Sequence, residues 1–182
     1  PITWMRHVDY ECDDVIGHLC RTLDPSNQIV IVSTDTDFIQ LLELHNVKLW
    51  NPIKKRFIDK WPVDYVCWKA LKGDSSDNVP GIKGIGEKRA HMLMESFDTL
   101  NAFLDEDPHR REVYELAYDQ IVLANIAIDS LGWESETCKF DESFIHETFT
   151  RYGFKTIIGK SWIGWKQAME RLENVDTQQT VN

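Results

Sequence analysis

Sulfur is sparse in this chain: four cysteines in 182 residues, none paired in a CxxC motif. That excludes a disulfide framework and makes a zinc centre an unpromising reading. Cys12, Cys20, Cys67 and Cys138 are scattered along the sequence and read as reduced, mostly buried thiols of a cytosolic protein. No apolar run approaches the length that crosses a bilayer, and the start carries no signal-peptide pattern, so no membrane partner is expected. Basic charge is also short. Twenty Lys and Arg face 30 Asp and Glu, a net charge of −10 that by itself argues against a polyanion-binding surface. Two arrangements would reverse that argument: divalent ions offsetting part of the acidity, or a basic surface carried on another segment. Low-complexity tracts and long repeats are absent, and a 42% hydrophobic fraction with seven Trp is that of a globular chain with a substantial core.

Residues 2 to 8 (ITWMRHV) predict a short strand running into an acidic stretch, Glu11, Asp13 and Asp14. Val15, Ile16, Leu19 and Leu23 recur at helical spacing, which predicts a helix from about Glu11 to Leu23. Acids in a first helical turn also have an ordinary role, favouring the macrodipole. After the Asp24-Pro25-Ser26-Asn27 turn, Gln28 to Ser33 is a β-branched run typical of a strand buried on both faces. Asp35 and Asp37 follow it, where ligand sites of parallel α/β sheets gather. Helix capping would account for Asp35 but not for Asp37 as well. Val47 to Trp50 and Phe57-Ile58 predict two further strands, joined by the basic turn Lys54-Lys55-Arg56, which reads as solvated. Residues 62 to 71, 87 to 95, 97 to 104, 110 to 129, 141 to 152 and 161 to 172 predict helices, with Trp61, Trp68, Trp162 and Trp165 as core and 176 to 182 a frayed polar tail.

The most informative stretch is Gly73 to Ala90, GDSSDNVPGIKGIGEKRA. Its first half sets Asp74 and Asp77 three residues apart in a turn-forming loop suited to a hard cation. Its second half, with Gly81, Lys83, Gly84, Gly86, Lys88 and Arg89, reads as a glycine hairpin opening a helix. There, exposed N–H groups and cations can meet a phosphate backbone without reading sequence. Seven carboxylates (Glu11, Asp13, Asp14, Asp35, Asp37, Asp74 and Asp77) thus lie at three strand-end or loop positions that one cleft can collect. An all-oxygen set of that size points to Mg²⁺ or Mn²⁺.

The GDSSDN loop followed directly by GIKGIGEKRA resembles the signature of the 5′ nuclease (flap endonuclease) family, including phage 5′-3′ exonucleases and the nuclease domain of bacterial repair polymerases. The resemblance covers the later part of that nuclease. It extends to Tyr10-Glu11 and the Asp13-Asp14 pair, with Cys12 at a position where the family has a small residue. It implies an α/β, PIN-like parallel sheet flanked by helices, a helix–hairpin–helix element and a helical C-terminal half, with residues 1–72 as nuclease core and 73–182 as DNA-binding and helical region. It further implies two metal ions held by the seven acids, with Asp13, Asp35, Asp37 and Asp74 as the catalytic set and Asp35 and Asp37 shared between the ions. A K⁺ ion at the hairpin carbonyls, bridging to phosphate, is also implied. The expected substrate is 5′-flap, nicked or branched DNA, or an RNA–DNA hybrid. An earlier family segment, with a metal-binding strand and a basic helical arch, is not present before Pro1. A separate N-terminal polypeptide is the expected complement, in a phage-infected or bacterial cytoplasm. Two rivals remain open: a branched-DNA-binding fragment without catalysis, and a PIN-like ribonuclease, a group that generally lacks this hairpin.

Overall fold

A computed structural model describes residues 2–126 and 131–175. In chain order, β1 (Ile2–His7) precedes α1 (Cys12–Thr22), β2 (Ile29–Val32), a 3-10 helix (Asp37–Glu43), β3 (Val47–Asn51) and β4 (Arg56–Ile58). Then come α2 (Tyr65–Lys72), the two-residue strands β5 (Gly73–Asp74) and β6 (Val79–Pro80), α3 (Glu87–Leu93), α4 (Phe97–Asp105) and α5 (Pro108–Ile121). The chain closes with β7 (Trp133–Cys138), α6 (Glu142–Arg151), α7 (Lys155–Ile158) and α8 (Trp162–Val175).

Two compact units result, one of residues 11–128 and one of residues 1–10 with 129–182. In the first, β2 and β3 pair in parallel and β4 returns antiparallel on β3. The sheet is therefore mixed; only one of its pairings is the parallel kind that was expected. The reason is the short turn after Asn51, whose Oδ1 accepts the N–H groups of Ile53 (3.0 Å) and Lys54 (2.8 Å) and whose Lys55 takes φ 52. Such a tight connection can only make a hairpin. One apolar core runs from Ile31 and Leu49 through Trp68 and Leu71 to Ile85 and Leu104, so it crosses residue 72 without a break.

Capping sets several helix starts. Asp64 accepts the Cys67 N–H (2.8 Å) at the start of α2, and Asp107 accepts that of His109 (3.0 Å) with Pro108 opening α5. α5 stops at Ile121, short of the expected 129, because the next residues are captured from outside the helix. Gln40 accepts the Leu123 N–H (3.1 Å) and donates to the Ile121 carbonyl (3.1 Å), and Asp14 accepts the Ala124 N–H (2.7 Å). Residues 127 to 129 of that expected helix lie outside the described residues.

In the second unit β1 pairs antiparallel with β7, from Ile2 opposite Cys138 to His7 opposite Trp133. Polar cross-strand contacts hold it: Arg6 to Glu134 at 2.6 Å, and the Thr3 and Thr137 hydroxyls at 2.7 Å. β1 thus belongs to this ribbon and not to the β2–β3–β4 sheet, and β7 interrupts what had read as a helical half. Around α6 and α8, Phe149 packs edge-on to Trp165 at 5.2 Å, and Trp162 stacks on Trp165 at 5.6 Å. The described residues contain no helix long and apolar enough to cross a membrane. All four cysteines are free; Cys20 and Cys67 are buried as expected, while Cys12 and Cys138 are exposed.

Candidate nuclease site

Three local structures bring the acids into one unit. Glu11 stands at the N-cap of α1, with Asp13 and Asp14 in its first turn. Asp35 and Asp37 follow β2, where the Asp35 carboxylate accepts the Asp37 N–H at 2.9 Å and fixes the bend into the 3-10 helix. Asp74 sits in β5, its carboxylate accepting the Ser76 N–H (2.9 Å) and hydroxyl, and Asp77 lies further out in the same loop.

What joins two of these loops is Lys69, a buried residue of α2 absent from the acids and hairpin residues that the sequence singles out. Its side chain is 3% exposed, and its ammonium donates to Asp37 Oδ1 and to Asp74 Oδ2 (2.5 Å), with Asp77 Oδ2 at 3.9 Å. Burial disfavours the ammonium, but Asp37 and Asp74 more than compensate and hold Lys69 above the ordinary lysine value. Burial also opposes the Asp74 charge; donation from Lys69 and Ser76 outweighs it and keeps that carboxyl well below the usual range. For Asp37 the balance goes the other way, burial raising it and the Lys69 contact offsetting only part. A signal for Lys69 did exist. It lies at i+4 from Tyr65, on the face that α2 buries, and a lysine there demands a counter-anion.

Among the described residues Asp13 has no such cation. Burial, then the charges of Asp35, Asp37, Glu11 and Asp14, all push its carboxyl upward, so the α1 terminus and the end of β2 share one negative field. Asp14 is differently occupied, because it holds the Ala124 N–H. The donor chemistry, carboxylate oxygens with an uncompensated field at Asp13, fits a hard divalent cation. The arrangement is not a closed cage: among the described residues no three acidic, histidine or cysteine side chains converge on a point that could hold an ion.

The hairpin divides its residues by role. Ile82 and Ile85 are buried, and Ile82 donates its N–H to the Leu71 carbonyl (2.9 Å), so the loop is pinned to the end of α2. Lys83, Gly84, Gly86, Lys88 and Arg89 stay exposed. A side chain at Gly84 or Gly86 would meet nothing within 4 Å, leaving room for an approaching backbone, and Gly84 has φ +81. Gly81 differs. A Cβ there would lie 2.2 Å from the Lys72 carbonyl carbon, so this glycine serves the chain's own packing.

Over the α2–hairpin–α5 portion, residues 60–125 match the 5′-3′ exonuclease, C-terminal SAM fold, family. The chain resembles the later part of the 5′ nucleases. Among its relatives is DNA polymerase I of Chloroflexus aurantiacus, 37% identical over 144 residues, which are 66% of this chain and 15% of the relative. Another is a 5′-3′ exonuclease of Bacillus subtilis, 36% identical over 110 residues, 53% of this chain and 36% of the relative. The chain thus spans well under half of either. A crystal structure of the T5 D15 protein with metal ions superposes at a TM-score of 0.50 and 21% identity, covering 63% of this chain and 49% of that one, a likeness of fold.

Proposed function

We propose that this chain supplies the later part of a structure-selective 5′ nuclease, a 5′-3′ exonuclease or flap endonuclease that hydrolyses DNA phosphodiesters with Mg²⁺ or Mn²⁺. One observation carries the reading: the acids of three loops and an exposed glycine hairpin with Lys83, Lys88 and Arg89 occur in the same compact unit. The hairpin grips phosphates of a flap, nicked or branched duplex, or of an RNA–DNA hybrid, through Gly84 and Gly86 N–H groups and the three cations, independently of sequence. Asp13, Asp35, Asp37 and Asp74 are the residues that would hold the metal, two ions on the family resemblance, with Glu11, Asp14 and Asp77 around them. Bound there, divalent ions supply charge neutralisation and a water acidic enough to act as nucleophile. Lys69 keeps Asp37 and Asp74 oriented and compensated before they bind metal, so no side-chain nucleophile is invoked.

An open strand edge supports a place for the earlier segment that the resemblance implies. β2 is an edge strand among the described residues. Ile29 and Ser33 donate their N–H groups to the β3 side (2.8 and 3.1 Å), and alternation turns the Val30 and Val32 amides to the open edge. Val30 is 50% and Val32 64% exposed in a run whose composition suits burial on both faces. A strand added here would end beside Asp35.

The test is cleavage of an end-labelled 5′-flap DNA in Mg²⁺ by the chain alone, by its Asp35→Asn variant, and by the chain mixed with the earlier segment of a relative. Cleavage that needs Asp35 supports the reading. The second reading, branched-DNA binding without catalysis, is favoured by Lys69 already pairing with both Asp37 and Asp74; it predicts flap binding with no cleavage in any mixture. The exposed hairpin speaks against a PIN-like ribonuclease.

A further inference from the structure

A cleft of about 510 Å³ adjoins the acidic loops and reaches beyond them to residues that the nuclease reading gives no role. Asp35, Asp59 and Asp74 line it together with Trp61 and Trp68, and so do Lys54, Arg56 and Lys72. Among the described residues none of these three cations has a carboxylate partner, although the chain carries 30 acids against 20 bases. The Lys72 ammonium instead sits over the Trp68 ring, 4.8 Å from its centroid. Trp68 is 95% buried by its 5% exposure, and the indole N–H groups of both Trp61 and Trp68 lack a hydrogen-bond partner. Trp61 stays partly exposed at the cleft.

Unpaired cations, a partly exposed Trp61 (which also stacks on His91 at 5.7 Å) and apolar lining such as Ile58 suit a ligand with a charged end and a flat apolar end. We propose that the cleft binds a nucleoside 5′-monophosphate unit, with its phosphate on Lys54, Arg56 and Lys72 and its base against Trp61. The ligand class rests on the nuclease reading; the geometry does not. Two sources share this chemistry, a free mononucleotide product and the phosphorylated terminal nucleotide of a strand. Either would lie directly against Asp35 and Asp74.

The experiment is a calorimetric titration of the full chain in EDTA, so that no acid-bound metal contributes, with dAMP, deoxyadenosine and a 5′-phosphorylated tetranucleotide. dAMP is expected to bind at least tenfold more tightly than deoxyadenosine. Lys54→Gln with Arg56→Gln, at exposed turn positions and checked by melting, should weaken dAMP by roughly tenfold or more. Trp61→Leu, which keeps apolar bulk without the ring face, should weaken it by about fivefold or more. A tetranucleotide tenfold tighter than dAMP assigns the cleft to a strand end; equal affinity assigns it to the free product. Deoxyadenosine binding as tightly as dAMP, or unchanged affinity in the Lys54/Arg56 variant, overturns the proposal. dAMP binding without flap cleavage sinks only the nuclease reading, and cleavage without dAMP binding sinks only the cleft.

Discussion

Replacing Lys69 with Met tests the feature on which the acidic site most depends. The substitution keeps most of the side-chain length and removes the positive charge that compensates Asp37 and Asp74, whose side chains are 19% and 13% exposed. Removing one partner of a buried ion pair costs about 3–5 kcal/mol. Because both carboxylates retain some contact with water, the lower end applies, about 3 kcal/mol at pH 7. For a chain of this size that is a melting temperature lower by roughly 6–12 °C. The loss should depend on pH in a defined sense. The Asp74 carboxyl is depressed, so the stability it draws from Lys69 is present above the ordinary aspartate range and fades as pH falls through it. Lys69 is raised, so its share is present throughout neutral pH and disappears only above the ordinary lysine range. The gap between wild type and variant should therefore be widest at neutral pH and close in acid, beginning above the ordinary aspartate range because the loss of Lys69 raises both carboxyls in the variant. Thermal denaturation followed by circular dichroism in EDTA reads it, and a repeat in Mg²⁺ should narrow the gap as the freed acids gain a cation. A variant as stable as wild type at pH 7, with no closing in acid, would refute the ion-pair account.

Gly81→Ala should destabilise the unit by more than about 2 kcal/mol, since its Cβ would meet Lys72 backbone. Gly86→Ala should leave melting unchanged and weaken flap binding in a gel-shift assay, because that position is open and its φ is −102. Asp14→Ala should cost about 1–3 kcal/mol by stranding the Ala124 N–H, while Asp14→Asn keeps the acceptor; chemical denaturation separates the two, and calorimetry with Mn²⁺ tests any ligand role. Burial pushes the Cys67 thiol up to about 11, so alkylation at pH 8 should modify Cys12 and Cys138 rapidly and spare Cys67 in the native protein, as counted by mass spectrometry. Flap affinity should fall with salt, and Lys83→Gln with Lys88→Gln should reduce the slope of log affinity against log salt by about 2.

Local chemistry was legible in the sequence. Helical spacing placed α1, α2 and α4 within a few residues of their ends. The β-branched run marked β2, and the turn residues of GDSSDN marked a loop carrying two carboxylates, Asp74 and Asp77. These features depend on neighbours a few positions away, and so they can be read from order alone. β7 could not be, because its exposed, polar residues carry no apolar alternation and its partner lies at the other end of the chain. The length of α5 was decided by Gln40 and Asp14, more than 80 residues away. Gly81 looked like its neighbours Gly84 and Gly86 until the end of α2 was seen packed against it. The sequence by itself determined which acids and which hairpin this protein carries. Tertiary structure alone decided that Lys69 bridges two of the acidic loops and that Lys54, Arg56 and Lys72 line one cleft, because charges far apart in the chain are partners only once packing brings them together and excludes water.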